Sequence, residues 1–154
     1  MRRGSPLKPR ISWQDRFQAP SVAELLAPFA KPQLQLIEQA RQSLLQLDGV
    51  TESIAWLGIP WRWTLAFGVE GADRPWAYLV PQPGKPLLAI PMSGETVAAL
   101  PIRRLSKFIR DVIVLSPKVA GVHWMQWEIA GRTQVEDLIG LARRQHESVL
   151  SATV

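Results

Sequence analysis

The middle of the chain alternates between short strand-like segments and turns. From Trp61 to Phe67, apolar side chains recur at every second residue, the period of a β-strand. Two connections, 68–75 and 81–86, contain glycine and proline and are shorter than the crossover of about a dozen residues that parallel strands require. The pattern therefore predicts an antiparallel meander. Its predicted strands are 52–57, 61–67, 76–80 and 87–90.

Helical signals lie on the N-terminal side of this meander. Ser21 and Glu24 form a capping box, in which the serine accepts a hydrogen bond from the third helical N–H and the glutamate reaches back. A short helix is therefore predicted from there to about Phe29. Pro32 suits the first turn of a second helix, whose apolar stripe continues to Leu47.

The C-terminal side combines two helical regions with one more strand. A proline divides the first region into a short helix, 95–100, and a strongly amphipathic helix, 101–114. A strand at 122–129 follows, and a second capping box, Thr133-Gln-Val-Glu136, predicts a final helix to about Leu150. The order predicts an α+β fold: an antiparallel sheet of four to five strands, helices at both termini, and a helical crossover before the last strand.

Most of the positive charge lies at the N-terminus. The chain of 154 residues has a net charge of +5, and residues 1–20 hold five basic side chains against one acidic one. Residues 21–154 are nearly neutral, with 13 basic and 12 acidic side chains. We predict a basic disordered tail at 1–20, a single α+β domain at 21–150 and a short tail at 151–154. Nucleic acid is expected to make only weak contacts, with the tail.

Several chemistries lack their characteristic residues. The chain has no cysteine, only two histidines, and no P-loop, serine-hydrolase elbow or zinc-protease motif. We expect no metal and no cofactor, assign no catalytic residue, and favour a non-catalytic function over an enzyme. No apolar run of about 18 residues is present, and no apolar segment follows the basic start. We therefore expect a cytoplasmic protein without a signal peptide or a membrane partner.

The predicted sheet is apolar on both faces, and this feature points to a candidate site. Trp76 and Tyr78 point to one face of their strand, while Ala77 and Leu79 point to the other. The terminal helices can cover one face, and the second face needs the amphipathic helix, a partner subunit or a ligand. Aromatic groups with a few polar neighbours are typical of ligand sites. The candidate ligand-binding residues are Trp61, Arg62, Trp63, Arg74, Trp76, Tyr78, Lys85, Glu95, His123 and Trp124.

The two-residue period also separates the side chains around Arg62. Trp61 and Trp63 are predicted to share one face of their strand, with Arg62 on the opposite face, so the tryptophans do not sandwich the guanidinium. With Arg74 as a second positive charge, we hypothesise a binding module for a small, partly apolar or anionic ligand.

Other interpretations of the same residues stay open. The tryptophans can all belong to the hydrophobic core, since each buries a large apolar area. His123 can be a packed or edge histidine rather than an acid or base, and the basic face of the amphipathic helix can be a solvated outer surface. The second apolar sheet face can also bind a protein partner, form a homodimer, or stack single-stranded nucleic acid.

Five segments of the chain have a characteristic layout: Pro60-Trp-Arg-Trp-Thr-Leu, Trp76-Ala-Tyr-Leu-Val-Pro81, Gln82-Pro-Gly84, Ser93-Gly-Glu95 and Val135-Glu-Asp-Leu. This layout resembles a family of small bacterial proteins, domain of unknown function 3788, which is akin to the YdhG-like group. The resemblance covers about residues 32–148, departs from the family in its proline-rich turns and basic tail, and implies a fold more than an activity. An iron-carrier role proposed within the YdhG-like group would need an oxygen-rich acidic ligand set, which this sequence lacks.

Overall fold

A computed structural model describes residues 12–153. In this range, helices and strands follow the order α-α-β-β-β-β-α-α-β-β-α, with a 3-10 turn between the two middle helices. The elements are α1 (Val22–Leu26), α2 (Lys31–Leu45), β1 (Val50–Trp56), β2 (Trp63–Val69), β3 (Ala77–Val80), β4 (Leu87–Ser93), α3 (Gly94–Ala98), the 3-10 turn (Ile102–Arg104), α4 (Lys107–Leu115), β5 (Lys118–Val119), β6 (Val122–Glu128) and α5 (Arg132–Thr153).

All strands belong to one antiparallel sheet in the order β1-β2-β3-β4-β6-β5. The predicted α+β class, the antiparallel pairing and the helices at both ends are confirmed. The sheet has six strands, so the prediction of four to five was slightly low. The additional strand is β5, which lies between the predicted helix 101–114 and the predicted strand 122–129. Two residues are too few for a two-residue period to be visible in a sequence.

The predicted helical connection between β4 and the last strand is present, but its main helix is shorter than expected. The continuous helix predicted over 101–114 is interrupted, because Leu105 and Ser106 have extended backbones with ψ of 149° and 153°. Only α4 continues as an α-helix. Serine is a preferred N-cap residue, and Ser106 takes that position directly before α4.

The two predicted capping boxes have opposite outcomes. In the first, the Glu24 backbone N–H donates to the Ser21 hydroxyl at 3.1 Å and the Ser21 N–H donates to the Glu24 carboxylate at 3.3 Å. The second box is wrong, because α5 already begins at Arg132 and Thr133 lies within its first turn. The first bond of that helix runs from the N–H of Val135 to the carbonyl of Gly131 at 2.9 Å.

One face of the sheet, termed the helix-covered face, carries the main core. Helix α2 packs against β1 and α5, α5 packs against β4, and α4 packs against β6. Ile109 and Ile113 of α4 join this same core, so α4 does not cover the second face of the sheet. The strand residues buried here include Leu65, Phe67, Leu79, Leu88, Ile90, Met125 and Trp127.

The segment before α1 packs against the domain. Trp13 is only 5% exposed, and its indole N–H donates to the carbonyl of Trp61 at 2.8 Å. The disordered tail predicted at 1–20 is therefore wrong for 12–20, and the rest of that prediction lies outside the described residues. Helix α5 extends to Thr153, into the region that was predicted as a C-terminal tail. Within residues 12–153, no helix combines the length and apolarity that crossing a membrane requires.

Candidate functional site on the open sheet face

The second sheet face, termed the open face, has a floor of small side chains. Ala66 lies opposite Tyr78 in the β2–β3 pair, and Tyr78 lies opposite Ala89 in the β3–β4 pair. These three residues form a small buried cluster that is separate from the main core, and Trp61 and Trp124 pack on it half-buried. The methyl side chains of the two alanines leave the room that the bulky rings occupy.

Three rings form an aromatic trio on this floor: Trp61, Tyr78 and Trp124. The ring centroid of Trp61 lies 5.5 Å from Tyr78 and 6.2 Å from Trp124, and Tyr78 lies 6.1 Å from Trp124. The rings are tilted or edge-on, which is the favourable arrangement for aromatic quadrupoles. The Trp61 indole N–H donates to the Gln126 side-chain oxygen at 3.3 Å, so it reaches across the sheet to β6.

Trp61 reaches the open face because the backbone changes direction before β2 begins. Arg62 has a φ of 60°, in the left-handed region that non-glycine residues seldom adopt. Its N–H donates to the Gly58 carbonyl, and its carbonyl accepts from the N–H of Leu57 at 3.0 Å. Strand alternation requires continuous extended backbone. The prediction that Trp61 and Trp63 share a face is therefore wrong.

Trp63 and Arg62 instead belong to the anchor of the N-terminal segment. Trp63 is buried, contacts Trp56 edge-on at 5.6 Å, and donates its indole N–H to the carbonyl of Asp15 at 2.6 Å. The Arg62 guanidinium lies 4.8 Å from the ring centroid of Trp13, in a cation–π contact. Both residues were predicted to bind a ligand, and the structure places neither of them with the aromatic trio.

Trp76 is also separated from the trio. It is 1% exposed, belongs to the main core, and its ring lies 5.3 Å from His146 of α5. It precedes β3, where strand alternation does not apply. The prediction that Trp76 and Tyr78 share a face is wrong. The His146 Nε2–H donates to the carbonyl of Asp48 at 2.7 Å, which fixes this histidine within the core.

The positive charge of Arg74 acts on the open face. Burial raises the pKa of Tyr78 above its ordinary value of 10.0, because an ionised phenolate would lose hydration, and the charge of Arg74 partly offsets this effect. The exposed Arg74 also lines a cleft of about 450 Å³ with Thr51 and Ser53 at the β2–β3 end of the sheet, and Glu70 and Asp73 line the same cleft. An anionic group at this end of the open face would therefore meet a guanidinium that has two carboxylates beside it.

The remaining predicted site residues lie elsewhere. Lys85 is in the β3–β4 turn and lines a different cleft, beside α4. Glu95 is exposed in the first turn of α3. His123 lies on β6, with its Nδ1 3.2 Å from the hydroxyl of Ser116, which itself donates to the carbonyl of Ile113. Of the ten candidates, the structure thus brings together Trp61, Tyr78 and Trp124, with Arg74 within electrostatic range of Tyr78.

The floor and one polar contact of this site were not predicted from the sequence, since Ala66, Ala89 and Gln126 were not singled out. The available signal was an alanine between two large apolar residues near the centre of β2 and of β4. Among residues 12–153, no group of three or more His, Cys, Asp or Glu side chains is placed to hold a metal ion.

No protein-family model and no curated protein matches the chain. The resemblance to the family of unknown function 3788 and the YdhG-like group stays a prediction.

Proposed function

We propose that this protein is a non-catalytic binding module whose open face holds a small, planar, anionic ligand. The observation that carries the proposal is the aromatic trio, with two half-exposed tryptophans on a floor of alanines and a guanidinium nearby. The absence of cysteine suits the cytoplasm, where we place this activity as part of the same proposal.

The aromatic trio supports recognition of a flat apolar group. Indole rings offer a large apolar area together with a donor N–H, and few rotatable bonds are lost when a ligand packs on them. Contacts with Tyr78 and Trp124 and the hydrogen bond to Gln126 hold Trp61 in place before any ligand arrives. A preorganised surface loses less conformational entropy on binding.

The Arg74 guanidinium and the Tyr78 phenol support an anionic ligand. The guanidinium of Arg74 can pair with a carboxylate, sulfonate or phosphate in a two-pronged geometry. A tyrosine phenol is protonated at neutral pH, and burial raises the pKa of Tyr78 further, so its hydroxyl is able to donate a hydrogen bond.

The experiment uses 2-naphthoate as a planar anionic probe and 2-naphthamide as its uncharged counterpart. Binding is followed by NMR through the indole N–H signals of the seven tryptophans, assigned by single Trp→Phe variants. We expect the signals of Trp61 and Trp124 to shift, and Trp61→Ala to weaken binding of both probes at least about tenfold. Arg74→Gln should weaken naphthoate binding and leave naphthamide binding unchanged.

Matched controls separate this surface from general stickiness. Phe17→Ala removes an aromatic ring that is 86% exposed and does not belong to the trio or its floor, and Arg103→Gln removes an exposed arginine of the 3-10 turn. Both variants should bind naphthoate like the wild type. The proposal is wrong if these controls weaken binding as much as Trp61→Ala, or if the shifts miss Trp61 and Trp124.

A further inference from the structure

The two edges of the sheet differ in how they are protected. At one edge, β5 is only two residues long, carries Lys118, and follows Pro117. The Trp124 N–H is already bonded to the carbonyl of Pro117 at 3.0 Å, and α4 packs beside β6. Short strands, lysine, proline and a covering helix are the devices by which proteins prevent an edge strand from pairing with another chain.

The other edge, formed by β1, lacks the short length, the lysine and the proline within the described residues, and α2 packs against β1 from the helix-covered face. It is seven residues long, pairs with β2 without a bulge, and contains no proline, lysine or arginine. Its one charged residue, Glu52, is held by Arg41 of α2 through two bonds of 2.6 and 2.8 Å. This hydrogen bonding raises the pKa of Arg41, and because the Glu52 carboxylate is engaged in the ion pair, it is not free to repel a neighbouring strand.

The backbone of β1 offers donors and acceptors that point away from β2. The Leu57 N–H donates to the carbonyl of Arg62, which continues the β1–β2 register by one step. Hydrogen-bonded and non-bonded pairs alternate in an antiparallel ladder. Counting back from Leu57, the backbone N–H and C=O groups of every second residue therefore bond to β2, and those of the residues between them point outward. The residues that bond to β2 are Thr51, Ser53 and Ala55, and those that face outward are Glu52, Ile54 and Trp56.

We propose that β1 pairs antiparallel with β1 of a second copy of this chain, about a two-fold axis at Ser53. This axis places Glu52 of one copy opposite Ile54 of the other, so outward-facing groups meet outward-facing groups. The pairing joins two six-stranded sheets into one sheet of twelve strands, with both open faces on the same side. It depends on β1 alone and is independent of ligand binding.

The strand is self-complementary in this register. Shifting the axis to Glu52 would set two carboxylates opposite each other, which is destabilising between strands. Shifting it to Ile54 would leave Val50 without a partner. In the proposed register, Val50 of each copy lies opposite the other copy's Trp56, and Leu57 and Ile59, 40% and 78% exposed, follow directly. Because the two strands run in opposite directions, the C-terminal end of each β1 lies beside the N-terminal end of the other. The apolar side chains at these ends then have a neighbouring strand.

Engineered disulfides test the register, because the natural chain has no cysteine. Ser53 of one copy lies opposite Ser53 of the other in a non-hydrogen-bonded pair. In such a pair the Cα atoms are about 4.5 Å apart, so a disulfide can form between cysteines at this position. We expect Ser53→Cys to give a covalent dimer under mild oxidation. Thr51→Cys and Ala55→Cys should each stay monomeric on denaturing gels, and a mixture of the two should cross-link. Failure of Ser53→Cys to cross-link overturns the proposal.

Sedimentation equilibrium tests the association itself. The wild type should form a dimer, and Ser53→Lys should weaken it at least about fivefold, because like charges then lie opposite each other. Val119→Lys places the same charge on β5 and should leave the dimer unchanged. A wild type that stays monomeric up to roughly millimolar concentration, or a dimer that Ser53→Lys does not weaken, contradicts the proposal. The aromatic trio is intact in all these variants, but Thr51 and Ser53 line the Arg74 cleft, so ligand binding is measured in the wild type and the trio variants and not in these variants.

Discussion

The two faces of the sheet use the same strands in different ways. On the helix-covered face, Phe67 and Leu79 are completely buried against the packed helices. On the open face, the next residues along the same strands are Ala66 and Tyr78, and among residues 12–153 it is the loop residue Trp61, not a helix, that lies over their cluster. One face is therefore densely packed, whereas the other retains half-exposed rings.

The tryptophans make the same contrast at the level of single residues. Trp76 is enclosed by the main core and contacts His146, so its ring has no accessible surface to offer. Trp61 lies on the opposite side, held by two aromatic neighbours but open to solvent on its outer side. Residue type alone does not distinguish a buried tryptophan from one that faces solvent.

The largest effect should come from removing a ring on the helix-covered face. Phe67→Ala leaves a cavity in a site with no exposure, and we expect a loss of about 3–5 kcal/mol in the free energy of unfolding. Urea denaturation followed by circular dichroism measures it. A loss below about 1 kcal/mol would show that this face is not the main core.

A smaller effect is expected on the open face. Trp61→Ala removes two aromatic contacts and a weak hydrogen bond from a half-exposed position, so we expect a loss of about 1–2 kcal/mol. The same urea titration compares it directly with Phe67→Ala. If Trp61→Ala costs as much stability as Phe67→Ala, Trp61 is a core residue and the contrast between the faces is wrong.

The smallest effect should be visible only at high pH. Burial raises the pKa of Tyr78 above 10.0, so the phenol ionises first in the unfolded chain as the pH rises. This contribution to stability is complete below the ordinary pKa and is lost as the pH climbs toward the folded-state value. Tyr78→Phe lacks this site-specific loss.

The measurement is the difference in unfolding free energy between the wild type and Tyr78→Phe, from about pH 8 to about pH 11. We expect the unfolding free energy of the wild type to fall relative to that of Tyr78→Phe as the pH rises. A difference that is constant across this range would mean that Tyr78 is as hydrated in the folded protein as in the unfolded chain.

Much of the fold could be predicted, because its signals are local. The Ser21 cap acts on a residue three positions away, and the strand period depends on immediate neighbours. The break before α4 escaped detection, because an amphipathic pattern does not reveal that Ser106 is extended. The short strand β5 escaped as well, since its pairing with β6 leaves no periodic trace.

The candidate site was predicted only in part. Tyr78 and Trp124 were assigned to strands correctly and do lie on the open face with Trp61. Trp63 and Trp76 were wrongly assigned to the site, because strand alternation was applied to residues that precede the strands: Trp61 before β2 and Trp76 before β3. Arg62 was also wrongly assigned to the site, because its guanidinium contacts Trp13, a residue that was predicted to lie in a disordered tail.

The sequence by itself determined the α+β class, the antiparallel meander and the flanking helices, since periodicity and capping act over a few residues. Only the tertiary structure decided which tryptophans are core and which face solvent. That choice depends on the left-handed turn at Arg62 and on contacts between distant residues, such as Trp13 with Trp61 and Asp48 with His146, which are 48 and 98 positions apart. Such contacts follow from packing, because a side chain's burial depends on which elements cover it and not on its neighbours in the chain.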